Sequence, residues 1–256
     1  MWPPRVRQRL DLVRHLVARD FRLRYHGSLL GVLWSVLLPL TQLLVLVFLF
    51  QRVVPLGIEG YPAFVYSGLL PWTWFSSSLA AAGGVFIGNR DLIRRPDFPS
   101  GLLVLVSVMA NLLVYLVSLP LLLALLWFYG RPPGAALAIV PLLLLVQAML
   151  LVGLGLAVAT VNVFYRDVQH LVTVGLSLLF YLTPVFYRAD QAGAAALVVL
   201  RLNPMATLVT AHRAVCLENV VPPLATLASM TATAALALAL GWVVHRAHIA
   251  EVVDRL

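Results

Sequence analysis

Three constellations in this chain have the residue types and spacing to do chemistry. The stretch GNRDLIRRPDFP, Gly88 to Pro99, sets three arginines and two aspartates between two long apolar runs. A short helix from Asn89 to Arg95, stopped by Pro96, would be a rigid charged handle for a partner, or else an ordinary solvated loop. FYRDVQH, Phe164 to His170, offers a second and smaller handle. The third pair, His15 and Asp20, stands at the H-x-x-x-x-D spacing by which an aspartate orients a histidine base in lipid acyl transfer. Five residues along a helix amount to about 140° of rotation, so these two side chains do not face each other.

Other chemistries drop out by composition. No H-E-x-x-H zinc motif and no G-x-S-x-G nucleophile elbow is present. The single Cys216 allows no intramolecular disulfide. All 18 basic residues are arginine. Without lysine there is no Walker A phosphate loop and no Schiff base. If nucleotide energy drives this protein, another chain binds the nucleotide, so the expectation is a non-enzyme with no cofactor of its own.

The elements that must position these residues are greasy. Of 256 residues, 62% are hydrophobic and 11% charged, and the mean hydropathy is +0.96. A soluble domain carries about a quarter charged residues, so the solvent for most of this chain is lipid. Six runs approach the roughly 20 residues that a bilayer core of about 30 Å demands. They are Leu29–Phe50, Pro62–Ile87, Gly101–Tyr129, Gly134–Val163, Leu171–Tyr187 and Pro223–Val244, the fifth being the shortest. None contains Asp, Glu, Lys, Arg or His. The first run lacks a small-residue cleavage site and reads as a retained anchor.

Arginine positions orient the spans. With the N-terminus inside, the inner segments 1–28, 88–100, 164–170 and 245–256 hold 13 arginines and the outer loops five. Both termini are therefore expected on the cytoplasmic side. That distribution also explains the net charge of +8 without nucleic acid as a partner. Before the first span, Val6, Leu10, Val13, Val17 and Phe21 recur every three or four residues opposite Arg7, Asp11, Arg14, Arg19 and Arg22. Such a basic amphipathic helix lies in the headgroup layer, or simply sets topology. The outer segment 188–222 is too apolar for a solvated tail. Asn203-Pro204 breaks it into two short helices that dip back into the outer leaflet. The expected fold is one all-α polytopic domain over 1–256: interface helix 1–28, spans one to five within 29–187, re-entrant gate helices 188–222, span six 223–244 and a cytoplasmic tail 245–256.

Spans without ionisable groups are poor equipment for ion coupling, which argues against a secondary carrier. Their polar residues are neutral: Thr41, Gln42, Ser76, Ser77, Ser78, Asn111, Gln147, Thr160, Asn162 and Ser177. These suit helix packing, or a path for a hydroxyl-rich solute. Tyr61, Tyr66, Trp72, Trp74 and Phe75 lie in or beside the second run; Tyr181, Phe186 and Tyr187 close the fifth. They are interfacial belt residues or a stacking surface for sugar rings.

ARDFRLRYHGSLLGVLWSVLLPL resembles the opening of the permease in ABC transporters that export polysaccharides, of the O-antigen and teichoic-acid type. The matching positions are Arg19, Asp20, Arg24, Tyr25, Ser28, Leu30, Gly31, Trp34 and Pro39. LLPWTWFSSSL, GNRDLIRRPDFP and LNPMATLVTAHRAV resemble, in order, that family's second span, coupling loop and outer re-entrant pair. The resemblance covers almost the whole chain; the all-arginine composition departs from the usual mixture with lysine. It implies a homodimer with two ATP-binding cassette subunits, which bind ATP and Mg2+. The cargo would be an undecaprenyl-diphosphate-linked glycan such as O-antigen; a permease of the same fold for a drug or lipid is the alternative. It assigns coupling to Asn89, Arg90, Asp91, Leu92, Ile93, Arg94 and Arg95. The diphosphate at the cytoplasmic mouth falls to Arg22, Arg24 and Tyr25. Tunnel-lining rings would be Tyr66, Trp72, Trp74, Phe75 and Tyr181, and the outer gate Asn203, Pro204 and Arg213.

Overall fold

The computed structural model describes residues 4–25, 27, 31, 33–95, 98–191 and 193–256; the side chains of 4–10, 23–25, 35, 191 and 194–196 lie outside that description. Ser28, Leu29, Leu30 and Pro96, and the side chains of Arg24 and Tyr25, thus fall outside the described residues. The described residues form helices and no strand. In order these are α1 (Pro4–Tyr25), α2 (Leu33–Phe48), α3 (Tyr61–Gly88), α4 (Arg90–Ile93), α5 (Gly101–Phe128), α6 (Val140–Phe164), α7 (Asp167–Tyr181), α8 (Ala194–Leu202), α9 (Pro204–Leu217) and α10 (Leu224–Arg255).

Among the described residues four segments are long and apolar enough to cross a membrane: Val36–Val53, Gly101–Phe128, Ala135–Phe164 and Leu224–Arg255. The first includes a π-helical turn, Leu49–Val53, that carries α2 on. The other two expected spans differ for physical reasons. α3 is as long as α5, at 28 residues, but it is the central helix and packs against α2, α5, α6, α7 and α9. Seventeen of its residues are buried. Its neighbours, not lipid, solvate it, so serine, glycine and tryptophan replace aliphatic side chains there. α7 starts at Asp167, ends at Tyr181 and is only 15 residues long. Pro184 lacks the N–H that would continue the helix and disfavours helix for Thr183, and 182–187 run as turns.

α10 carries another correction. The expected tail 245–256 is not separate: the helix runs unbroken for 32 residues to Arg255, about 48 Å. Near its end Val252 is buried with Phe86, Ile93, Leu103, Val104, Leu156 and Ala159 in a small second core. α10 lies on α6 at a contact between main chains. A Cβ on Gly241 would collide with the carbonyl of Gly153, and one on Gly153 with the backbone of Ala237. Away from α6, Leu224, Leu236, Leu240 and Val243 are exposed, as a helix facing lipid presents them.

α8 and α9 meet at Asn203, as its pairing with Pro204 predicts. The Asn203 side chain caps α9 by accepting from Met205 N at 3.0 Å, and Pro204 occupies the first turn, where its missing N–H costs nothing. α9 is mostly buried against α3 and α6. α1 packs on α5 through Leu16, 7% exposed, one position off the expected stripe; Val13 and Val17 are half-buried beside it. His15 and Asp20 lie on this one helix, where the rotation between them excludes the acyl-transfer pair.

Candidate functional site

Three places in the bundle gather the residues singled out by sequence. The first is the charged turn. α4 is a single turn, shorter than the expected Asn89–Arg95, and follows α3 after Asn89 alone. Ile93 is 4% exposed, anchored in the second core, and Leu92 packs against that core. Arg90, Asp91, Arg94 and Arg95 are exposed. Asn89 is bound on both sides: its Nδ2 donates to Val85 O at 2.9 Å, and its Oδ1 accepts from Arg19 Nη2 at 2.9 Å. The turn is thus an apolar peg with a charged rim, tied to α1. Arg22 is exposed on that same helix, its Nε donating to Ala18 O.

Polar side chains lock the helices behind this turn. Asn162 donates to Gly83 O at 2.8 Å and accepts from Gln169 N at 3.0 Å, while Gln169 Nε2 donates to Ala80 O at 2.8 Å. α3, α6 and α7 are knit at one point. His245 was missed by reasoning from spans, because it lies just past the apolar run. It bonds Ser100 Oγ through Nε2 at 3.0 Å and Thr160 Oγ1 through Nδ1 at 3.2 Å, and its ring lies 5.4 Å from that of Phe86. It therefore bridges α10, the start of α5, α6 and α3. His245→Phe keeps the ring and loses both bonds. The expected cost is about 1 kcal/mol, at ~0.6 kcal/mol per bond between membrane helices, read as a lower unfolding temperature of the detergent-solubilised protein. An unchanged midpoint contradicts the bridge.

The second place is a cleft of about 490 Å3 between α2, α3 and α7, walled by Gln42, Trp72, Ser76, Ser77, Ala80, Thr173, Leu176, Ser177, Phe180 and Tyr181. Trp72 and Phe180 are ring neighbours at 5.6 Å, Phe180 and Tyr181 at 5.5 Å, and Phe75 packs on Trp72 at 5.8 Å. Gln147 on α6 donates to Pro71 O at 2.8 Å, holding the backbone beside Trp72. No wall residue is ionisable at neutral pH. The structure divides the expected tunnel aromatics: Trp72 and Tyr181 face this cleft, Phe75 lies buried against Trp72, and two rings point elsewhere. Trp74 Nε1 donates to Val108 O at 3.1 Å and its ring meets Tyr115; Tyr66 OH donates to Ser118 O at 3.4 Å. Both are buried between α3 and α5 and are not among the residues that wall this cleft.

The third place is at the α8–α9 end. Asn203 Nδ2 donates to Thr183 Oγ1 at 2.9 Å and to Leu182 O at 3.2 Å, tying the helix junction to the turns after α7. Arg213 is 6% exposed. Its Nη2 donates to Val185 O at 2.8 Å, its guanidinium stacks 3.7 Å from the Phe64 ring centroid, and its Nε finds no partner. Gly68 makes the room: a Cβ there would sit 2.8 Å from Arg213 Nη2. A cation buried on carbonyls and a ring, with no carboxylate in bonding range among the described residues, is an expensive placement. It fastens α9 to α3 and to the end of α7. The nearby Arg188 is exposed and paired with Asp190 at 2.8 Å, which raises its pKa by hydrogen bonding and charge.

Comparison with known proteins agrees in kind. The family model described as ABC-2 type transporter matches residues 11–217. The chain is 38% identical over 225 residues, 86% of each chain, to the O-antigen export system permease protein RfbA of Myxococcus xanthus. It is 32% identical over 211 residues, 82% of each chain, to the protein of that name from Klebsiella pneumoniae. With the polysialic acid transport protein KpsM of Escherichia coli the identity is 25% over 181 residues, 68% of this chain and 69% of that one.

Proposed function

The chain belongs to the ABC-2 type transporter family, and from that premise we propose that it is the membrane permease of an ATP-driven polysaccharide exporter. Its cargo in this reading is an O-antigen-like glycan on undecaprenyl diphosphate, crossing the bacterial inner membrane. The observation that carries the proposal is the cleft of α2, α3 and α7. Its wall pairs aromatic faces with hydroxyl and amide groups and carries no side chain that is charged at neutral pH. Sugar rings offer C–H faces to such rings and hydroxyls to such amides, and a neutral wall holds neither so strongly that the chain stalls.

The working unit is a homodimer with two ATP-binding cassette subunits, which bind ATP and Mg2+. α2, α3, α5, α6, α7 and α10 are the six spans, with both termini cytoplasmic. α7 crosses despite its length because the turns at 182–187, held by Asn203 and Arg213, complete its passage inside protein. α1 lies in the inner headgroup layer, where Arg22, Arg24 and Tyr25 meet the diphosphate, guanidinium forks being matched to phosphate oxygens. α8 and α9 dip into the outer leaflet and gate the exit through Asn203, Pro204 and Arg213. The rim of α4 docks the ATPase and its peg passes the motion to α3, whose middle turns wall the cleft.

The test is reconstitution of the permease with its ATPase in vesicles, following ATP-dependent uptake of labelled lipid-linked glycan. Transport of a drug or a bare lipid with no glycan movement overturns the proposal, as does uphill transport without the ATPase. Within this assay alanine at Tyr181, which is 66% exposed, is expected to slow long-glycan transport about 3- to 10-fold, the scale of a lost ring contact, with assembly intact. Trp74→Ala is expected to lose assembly instead, a buried Trp→Ala change costing about 3–5 kcal/mol. The reverse pattern would exchange their roles.

A further inference from the structure

We infer that the open cavity at the α8–α9 end is a second saccharide-binding site, an exit subsite that holds sugar units after they have left the α2–α3–α7 cleft; this rests on the glycan-export reading above. The cavity measures about 630 Å3, inside the roughly 300–1,000 Å3 range of small-molecule sites. Arg131, Arg188 and Arg213 line it together with Glu59, Asp190 and Glu218. These come from four separate stretches: the loop before α3, the loop after α5, the turns after α7, and the end of α9. Gly57 and Gly60, at φ of +67° and +64°, bend the first loop so that Glu59 reaches the rim.

The charges decide what fits. Three cations and three anions leave no net charge, so the lining as a whole does not favour a bare phosphate over a neutral guest. An apolar guest would strip water from six charged groups without replacing their bonds. Arg188 and Asp190 engage each other, and Arg213 is spent on the Val185 carbonyl. The side chains of Arg131, Glu59 and Glu218 make no hydrogen bond among the described residues, so a donor fork and two carboxylates remain open to the cavity. A sugar hydroxyl satisfies both kinds at once, donating to a carboxylate and accepting from a guanidinium, and charge-assisted bonds are the stronger sort. Ile58 adds apolar wall for the C–H face of a ring.

The experiment places the photo-crosslinking residue p-benzoylphenylalanine at Ile58 in the full permease, expressed with its ATPase in cells making the glycan, with the same probe at Ser77 in the cleft. Expected is an ATPase-dependent glycan adduct from both positions. Glu59→Gln with Glu218→Gln should reduce the Ile58 adduct on the order of tenfold and leave that from Ser77 unchanged. Should the Ile58 probe fail to assemble, Thr210, exposed on the same cavity, carries it. Glycan adducts from Ser77 with none from the cavity, or phospholipid adducts alone from the cavity, overturn the exit subsite and spare the permease reading. Surface glycan that persists when the permease is deleted overturns that reading, and the subsite with it.

Discussion

Replacing Gly241 with leucine is expected to leave almost no assembled permease in the membrane. α6 and α10 approach so closely at this point that the first side-chain atom of residue 241 would meet the Gly153 carbonyl. In a bilayer, close packing of this kind is what holds helices together, since lipid tails are as apolar as any side chain and give no hydrophobic drive between them. An overpacked core of side chains costs about 1–3 kcal/mol because rotamers can yield. Main chain cannot rotate away, so the helices must part along their length, and the bridge of His245 to Ser100 and Thr160 parts with them. The measurement is the yield of monodisperse protein after detergent extraction. Gly84→Ala is the control, because a Cβ there meets nothing within 4 Å; normal yield from Gly241→Leu would mean that the helices do not cross as described.

Reversing both Arg94 and Arg95 to glutamate is expected to lower glycan export about 100-fold or more while the protein folds and reaches the membrane. Both side chains are exposed, and the peg that holds the turn is their neighbour Ile93, so the change alters the rim and not the anchor. Opposing like charges across an interface cost several kcal/mol, enough to release a partner that reads this rim. The ATPase activity of the complex should then no longer respond to the permease. Unaltered export by the double variant would remove the rim of α4 from any coupling role.

What could be read in advance and what could not divide along a physical line. Apolar run lengths announced a membrane protein, and the absence of lysine removed a Walker A phosphate loop, because both are properties of composition. The Asn203-Pro204 break was visible because a cap and a missing N–H act within one turn of chain. Helix ends were less legible. The run Leu171–Tyr187 is uniformly apolar, and only Pro184 warned that helix stops at Tyr181. At 245–256 polar residues suggested a tail where the helix continues, since Val252 is held by residues on α3, α4, α5 and α6, far away in the chain.

The sequence by itself determined that this chain lives in lipid, where its helices run, and that its charge clusters at segment ends; hydrophobicity and backbone chemistry act locally and leave local marks. Which ring of α3 faces the cleft and which faces α5 was decided by tertiary structure alone. A helix enclosed by five others is apolar on every side, so no periodicity distinguishes Trp72 from Trp74. Only the arrival of Val108 from one side and Phe180 from another separates them. The same holds for Arg213, whose burial depends on a carbonyl from the end of α7 and a ring from α3.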